Sequence, residues 1–253
     1  MENQPDLWLE RFTGKEADAH KYDYGHALIY GAPVLTGATR LAATACARIG
    51  AGLTSVLAKN GDIYRAALPA HIMVRDDTAW FDARVSVRLY GPGGMAQGVK
   101  ISLNRPCVLD ADALACMPEP LHENVVLSPH EGEFARAFPD ITGSREAKAV
   151  CAAKRSGAVV VLKGRDTVIA HPDGRQVVVN RHASPYLASA GTGDVLAGLI
   201  TGLLAQGMPT FEAACAAVWV HGDAALRCGP GLVASDLVER VPEVLQEGLG
   251  FSR

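Results

Sequence analysis

The sequence predicts an α/β fold with a mostly parallel central sheet and helices on both faces. Short apolar, β-rich runs alternate with helical patterns through most of the 253 residues. The runs read as strands apolar along their whole length, as buried parallel strands are. The 26 glycines supply the many tight turns such a fold needs.

Taken in order, His26–Tyr30 reads as a strand and residues 37–49 as an alanine-rich helix. Gly50-Ala51-Gly52 closes that helix, and 53–58 returns as a strand. Further strands fit 87–90, 107–110, 125–128 and 159–163, with a helix over 144–155 between the last two. Segments 168–170 and 176–180, joined through Pro172-Asp173-Gly174, form an expected hairpin. Helices over 192–206, 211–227 and 235–246 finish the chain. The first twenty residues lack periodicity and read as a loosely held N-terminal arm, with 21–253 as a single domain.

Composition narrows the function. A net charge of −3 without a basic cluster, and aromatics at only 6%, argue against a nucleic-acid partner. An anionic ligand must then be held by local groups such as backbone amides. The most apolar segment, 195–204, is too short to span a membrane. The opening MENQPDLWLE is acidic and polar, unlike a secretory leader. Six cysteines without a C-x-x-C spacing fit free thiols in a reducing compartment, so a cytoplasmic protein is expected.

In open α/β sheets, ligands bind outside the carboxyl ends of the strands. That rule gathers Gly91, Asp110, His130 and Lys163, each of which follows an expected strand.

Four segments carry candidate chemistry. Ala190-Gly191-Thr192-Gly193-Asp194 runs directly into a long apolar helix. It would present unpaired N–H groups and a positive dipole end to a phosphoryl group, with Asp194 beside it as a base. Lys163-Gly164-Arg165-Asp166-Thr167 offers donors and a close-approach glycine suited to a nucleotide. Ser128-Pro129-His130-Glu131-Gly132-Glu133 places a histidine and two acids where substrate and hydrated Mg²⁺ can be held. Asp110 and Asp112 follow one strand, and Gly91-Pro92-Gly93-Gly94 follows another. Each segment alone also fits plain helix starts and turns. His221 reads as a packed or surface residue, and His71 and His182 show no identifiable partner. No nucleophile-elbow pattern supports acyl transfer.

Together these segments, with His20-Lys21, Gly25, Gly31-Ala32-Pro33, Thr36-Gly37-Ala38 and Arg48 to Gly52, resemble the ADP/ATP-dependent NAD(P)H-hydrate dehydratase family. That family is a ribokinase-like branch, and the ordered match runs over about nine-tenths of the chain. The resemblance implies a ribokinase-like fold. It also implies a lyase that phosphorylates the ring hydroxyl of hydrated NADH or NADPH from ADP or ATP and then eliminates phosphate. By carry-over, Asp194 is the catalytic base and also touches the substrate, and Gly191, Thr192 and Gly193 form the anion hole. Ala38, Gly93 and His130 bind the hydrated dinucleotide, while Lys163, Gly164, Arg165, Asp166, Thr167 and Gly193 bind the nucleotide. Glu133, with Asp110 second, matches the magnesium-associated acids, and a homo-oligomer, typically a tetramer, is implied. The epimerase domain often fused ahead of this family is expected to be absent, because twenty residues cannot encode it.

The sequence departs from the family where Tyr186 and Ala190 replace glycines and where Glu131 replaces the proline of P-H-P-G-E. These changes are expected to narrow the site or add negative charge. Two rival readings are a small-molecule hydroxyl kinase of the same superfamily and a catalytically weak nucleotide-binding protein.

Overall fold

The computed structural model describes residues 1–12, 14, 15 and 18–250. Among them, β1 (His26–Tyr30), β2 (Leu53–Leu57), β3 (Met73–Arg75), β4 (Val85–Tyr90) and β5 (Cys107–Leu109) are followed by β6 (Val125–Leu127), β7 (Val159–Leu162), β8 (Thr167–Ala170) and β9 (Val177–Asn180). They form one sheet in the order β3-β2-β1-β4-β5-β6-β7-β8-β9. Pairing is parallel from β3 to β7, and β8 and β9 add an antiparallel hairpin at one edge.

Burial on both faces explains why the strands read as apolar throughout. On β7, Val159 and Val161 join a core with helices α1 (Thr36–Arg48), α5 (Thr192–Ala205), α6 (Thr210–Cys228) and α7 (Ala234–Glu243). Their neighbours Val160 and Leu162 face the opposite core, formed with α3 (Glu131–Ala137) and α4 (Arg145–Ser156). Each wholly buried side chain of this kind contributes about 1.5–3 kcal/mol.

Helix α5 is apolar on all sides because nearly every residue from Val195 onward is buried. It lies against α1 at backbone distance. A Cβ on Gly198 would stand 2.2 Å from the Ala42 carbonyl oxygen, and one on Gly202 equally close to Ile49 Cγ2. Only glycine allows this approach, and it seats the body of α5 against α1.

The structure adds elements the pattern did not reveal. Helix α2 (Gly61–Ala67) and edge strand β3 are short, and β3 is half-exposed, so neither leaves a periodic signature. The last helix stops at Glu243, with Pro242 in its final turn, and continues only as a wider turn over Val244–Gly248.

The N-terminal residues correct the expectation of a loose arm. Asn3 and Trp8 are fully buried, Glu2 pairs with Val179 beside β9, and the Trp8 ring lies 5.9 Å from that of Trp219. Two aromatics, Trp8 and Phe12, among twelve mixed polar and apolar residues carry no periodicity, so this docking was invisible in the sequence. Residues 13, 16 and 17 of the expected arm lie outside the described residues. No helix among the described residues is long and apolar enough to cross a membrane.

Candidate active site

The ends of β4, β5, β6 and β7 converge, as the crevice rule anticipates. A Cβ on Gly91 would lie 1.8 Å from the Asp110 carbonyl oxygen, and His130 bridges to Lys163 through the backbone. Lys163 Nζ contacts Asp110 Oδ1 at 2.7 Å and lies 3.7 Å from Glu133 Oε2. Burial opposes the ammonium charge, but Asp110, Glu133 and Asp194 outweigh it and hold the Lys163 pKa above its ordinary value. Directly after Asp110, Ala111 takes φ +46°, a left-handed conformation that L residues seldom adopt.

Asp194 stands in the first turn of α5. Burial, reinforced by the Asp110 and Glu133 charges and opposed by Lys163, raises its pKa to about 6. That value lets a carboxylate work as a base near neutral pH. The turn before it is made by Gly191 at φ +90°, and no side chain caps the helix. The first N–H groups of α5 therefore remain open for an anion. The turn itself is braced. Thr192 Oγ1 bonds the carbonyls of Leu187 at 2.8 Å and Ser189 at 2.9 Å, and His221 Nε2 bonds the Thr192 carbonyl at 2.9 Å.

One side of this turn opens into a cleft of about 970 Å³. It is lined by Lys163, Gly164, Arg165, Asp166 and Thr167, by Thr192 and Gly193, and by Asn180, Arg181, Leu196, Val218 and His221. All the sequence candidates for nucleotide binding thus share one wall. Arg145 shapes that wall by donating to the carbonyls of Leu162 at 2.9 Å, Lys163 at 3.0 Å and Asp166 at 3.2 Å. Glu131, the replacement for the family's proline, binds Arg145 and Lys148. Its added charge is therefore matched locally by two cations.

Ala38 and Gly93 lie together at the ends of β1 and β4, further along the sheet from the cleft. A Cβ on Gly93 would stand 3.0 Å from Ala38 Cβ. Thr39 Oγ1 joins their loops, accepting from the Ala32 N–H and donating to the Pro92 carbonyl, both at 3.0 Å. Sheet order then runs from Ala38 and Gly93 through Asp110 and His130 to Lys163 and the cleft.

The two metal candidates already have partners. Glu133 Oε2 accepts the His130 N–H at 2.8 Å, and His130 Nδ1 accepts from Gly132 and Glu133, making a reciprocal cap on α3. Asp110 is paired with Lys163. Among the described residues, no group of three or more His, Cys, Asp or Glu side chains could cage a metal.

Three sequence readings need correction or addition. His182 does have a partner: Nε2 lies 2.9 Å from Asp223 Oδ1, and the ring stacks on Trp219. His221 is packed, as read, but it also lines the cleft, and burial lowers its pKa to about 4. No local pattern could have shown this, because its acceptor lies 29 residues away. Tyr186 and Ala190 are both exposed and absent from the cleft lining, so neither narrows that cleft.

Residues 26–241 match the sequence profile described as NAD(P)H-hydrate dehydratase. The chain is 35% identical over 243 residues to the ADP-dependent (S)-NAD(P)H-hydrate dehydratase of Neisseria meningitidis, covering 85% of this chain and 80% of that one. It is 37% identical over 284 residues to the bifunctional NAD(P)H-hydrate repair enzyme Nnr of Salinibacter ruber, covering 96% of this chain and 52% of that one. The chain thus spans about half the length of that bifunctional relative. The ADP/ATP-dependent NAD(P)H-hydrate dehydratase from Bacillus subtilis, co-crystallised with ATP/Mg²⁺, superposes with a TM-score of 0.77 at 29% identity, covering 92% and 93% of the two chains. A ribokinase-like superfamily protein from Enterococcus faecalis gives a TM-score of 0.81 at 25% identity, covering 94% of each chain. The nine-stranded, mostly parallel sheet is therefore ribokinase-like, and the chain belongs to the NAD(P)H-hydrate dehydratase family.

Proposed function

We propose that this protein dehydrates hydrated NADH or NADPH with ADP or ATP as phosphoryl donor, a carbon–oxygen lyase reaction that repairs the damaged dinucleotide. One observation carries the reading. Asp194, with a pKa of about 6, stands at an uncapped helix start within electrostatic reach of Asp110, Lys163 and Glu133, directly after Thr192 and Gly193, which line the 970 Å³ cleft. The family relationship supplies the substrate class.

In this reading, the hydrated dinucleotide lies along Ala38, Gly93 and His130 with its ring hydroxyl at Asp194. The Asp194 carboxylate takes the hydroxyl proton as the oxygen attacks the terminal phosphoryl group. Backbone N–H groups of Gly191, Thr192 and Gly193 receive the charge that develops on that group. Lys163 adds a fixed cation beside them, since a Cβ on Gly193 would stand 3.4 Å from its Nζ. Residues Lys163 to Thr167 hold the donor in the cleft. The ring nitrogen then pushes electrons to expel phosphate, and loss of a proton from the neighbouring ring carbon restores the double bond. The protein needs only to orient the ring and keep water away during elimination.

Asp110 and Glu133 are each partnered, so the site fits a Mg²⁺ ion that arrives with the phosphates better than one caged by protein ligands alone. When bound, Mg²⁺ would supply positive charge to offset that of the phosphates. Glu133 and Asp110 would hold such an ion, through water. A homotetramer is part of the proposal by family resemblance, and a cytoplasmic setting by the six free thiols. Nucleotide-dependent recovery of reduced-nicotinamide absorbance from hydrated NADH or NADPH tests the activity.

A further inference from the structure

We propose that the N-terminal segment is a strap that positions the nucleotide cleft, acting through Asn3 on Asn180 and through Glu2 on Arg181. The proposal rests on the assignment of the cleft to nucleotide, not on the dehydration step.

Asn180 and Arg181 are consecutive residues at the end of β9, and both line the cleft. Asn180 is almost wholly buried, and its two polar atoms are committed. Its Nδ2 donates to the His182 carbonyl at 2.9 Å, and its Oδ1 accepts from Asn3 Nδ2 at 2.9 Å. That acceptor bond comes from a residue 177 positions away in sequence. Asn3 is itself fixed on every side. Its Nδ2 also donates to the Cys215 carbonyl at 2.8 Å, its Oδ1 accepts from Trp8 Nε1 at 3.2 Å, and its N–H donates to the Val179 carbonyl at 2.9 Å. Trp8 locks this arrangement by packing, fully buried, between Phe12 and Trp219.

Glu2 treats the next residue in the same way. Its carboxylate accepts the Arg181 backbone N–H at 3.2 Å and pairs with the Arg181 guanidinium. Arg181 Nε lies 3.5 Å from Asp166 Oδ2, on the Lys163–Thr167 loop that lines the same cleft. The strap therefore sets two adjacent lining residues and, through Arg181, touches the Lys163–Thr167 loop.

The strap lies outside residues 26–241, the stretch that matches the family profile. Its contacts fall on the β9 end of the sheet, away from Ala38 and Gly93 at β1 and β4. A positioning role consequently predicts selective damage to the nucleotide side.

The test is titration calorimetry of ADP and ATP into the full chain, comparing wild type with Asn3→Ala and Trp8→Phe. Removing Asn3 leaves the buried Asn180 acceptor without its donor, so nucleotide affinity should weaken by about tenfold. Trp8→Phe keeps an aromatic ring at this position while losing the indole bond to Asn3 and part of the packed volume, so a smaller loss in the same direction is expected from a variant that folds. In turnover, KM for nucleotide should rise while KM for the hydrated dinucleotide holds. Asn3→Ala in an Asn180→Ala background should add little, because the effect passes through Asn180. Wild-type nucleotide affinity in a folded Asn3→Ala protein, or equal rises in both KM values, would overturn the strap. Absence of nucleotide binding by the wild type would instead overturn the cleft assignment and the strap with it.

Discussion

Lys163 Nζ stands 2.7 Å from Asp110 Oδ1, and its charge also reaches Glu133 and Asp194. One cation after β7 thus serves three carboxylates: Asp110 after β5, Glu133 after β6 and Asp194 at the start of α5. Lys163→Met should leave the buried Asp110 without a counter-charge and destabilise the protein by about 3–5 kcal/mol. Adding Asp110→Asn should recover much of that loss, because the uncompensated charge disappears. Urea unfolding of the single and double variants measures both. Additive losses in the double variant would show that the pair is not coupled.

The same relationship sets a pH dependence. Asp194 must be ionised to accept a proton, and its pKa is raised to about 6. The rate should therefore fall as pH drops through that value. Lys163 lowers the Asp194 pKa, so Lys163→Met should move the acid limb of kcat/KM to higher pH. A pH–rate profile of each protein checks the direction, and an unmoved limb would separate Lys163 from the base.

Asp194→Asn should lower turnover by roughly 10²–10⁴-fold while nucleotide binding persists. It should also raise Tm at neutral and alkaline pH. The native pKa lies above the ordinary carboxylate value, so the folded state holds this proton more tightly than the unfolded state. Stability from that proton is present below the ordinary pKa and lost as pH rises through about 6. The Tm gain should accordingly shrink toward about pH 4, where both side chains are neutral. Scanning calorimetry across this range tests the sign; a lower Tm for the variant at neutral pH would contradict it.

Glu133→Gln keeps an oxygen that can accept the His130 N–H, so the cap on α3 should survive with a stability change below about 1 kcal/mol. The lost charge should nonetheless raise the Mg²⁺ concentration needed for half-maximal rate. Chelation by EDTA should abolish wild-type turnover. An unchanged Mg²⁺ dependence in the variant would assign the ion to another acid.

Much of this arrangement was legible in the sequence, and the parts that were not share one cause. Strands such as β7 announce themselves because burial on both faces demands apolar residues throughout. Helix α5 is plain from its glycine-rich start and all-apolar body. The crevice rule gathers Gly91, Asp110, His130 and Lys163 from the sequence, because topology dictates which strand ends meet. What stayed hidden depends on partners remote in the chain. The bond from His221 to the Thr192 carbonyl, the stack of His182 on Trp219 and the hold of Asn3 on Asn180 leave no local pattern. Arg145 likewise reads as an ordinary first-turn helix residue, and only the fold shows it gathering three carbonyls around the cleft loop.

The most direct test of the central claim is a coupled measurement on hydrated NADH and NADPH with Mg²⁺ and either ADP or ATP. Absorbance at the reduced-nicotinamide band and inorganic phosphate would be followed together. The account predicts one reduced dinucleotide and one phosphate for each nucleotide consumed, with no phosphorylated product accumulating. A stable phosphorylated metabolite formed without activity on hydrated dinucleotide, or nucleotide binding with no turnover at all, would contradict it.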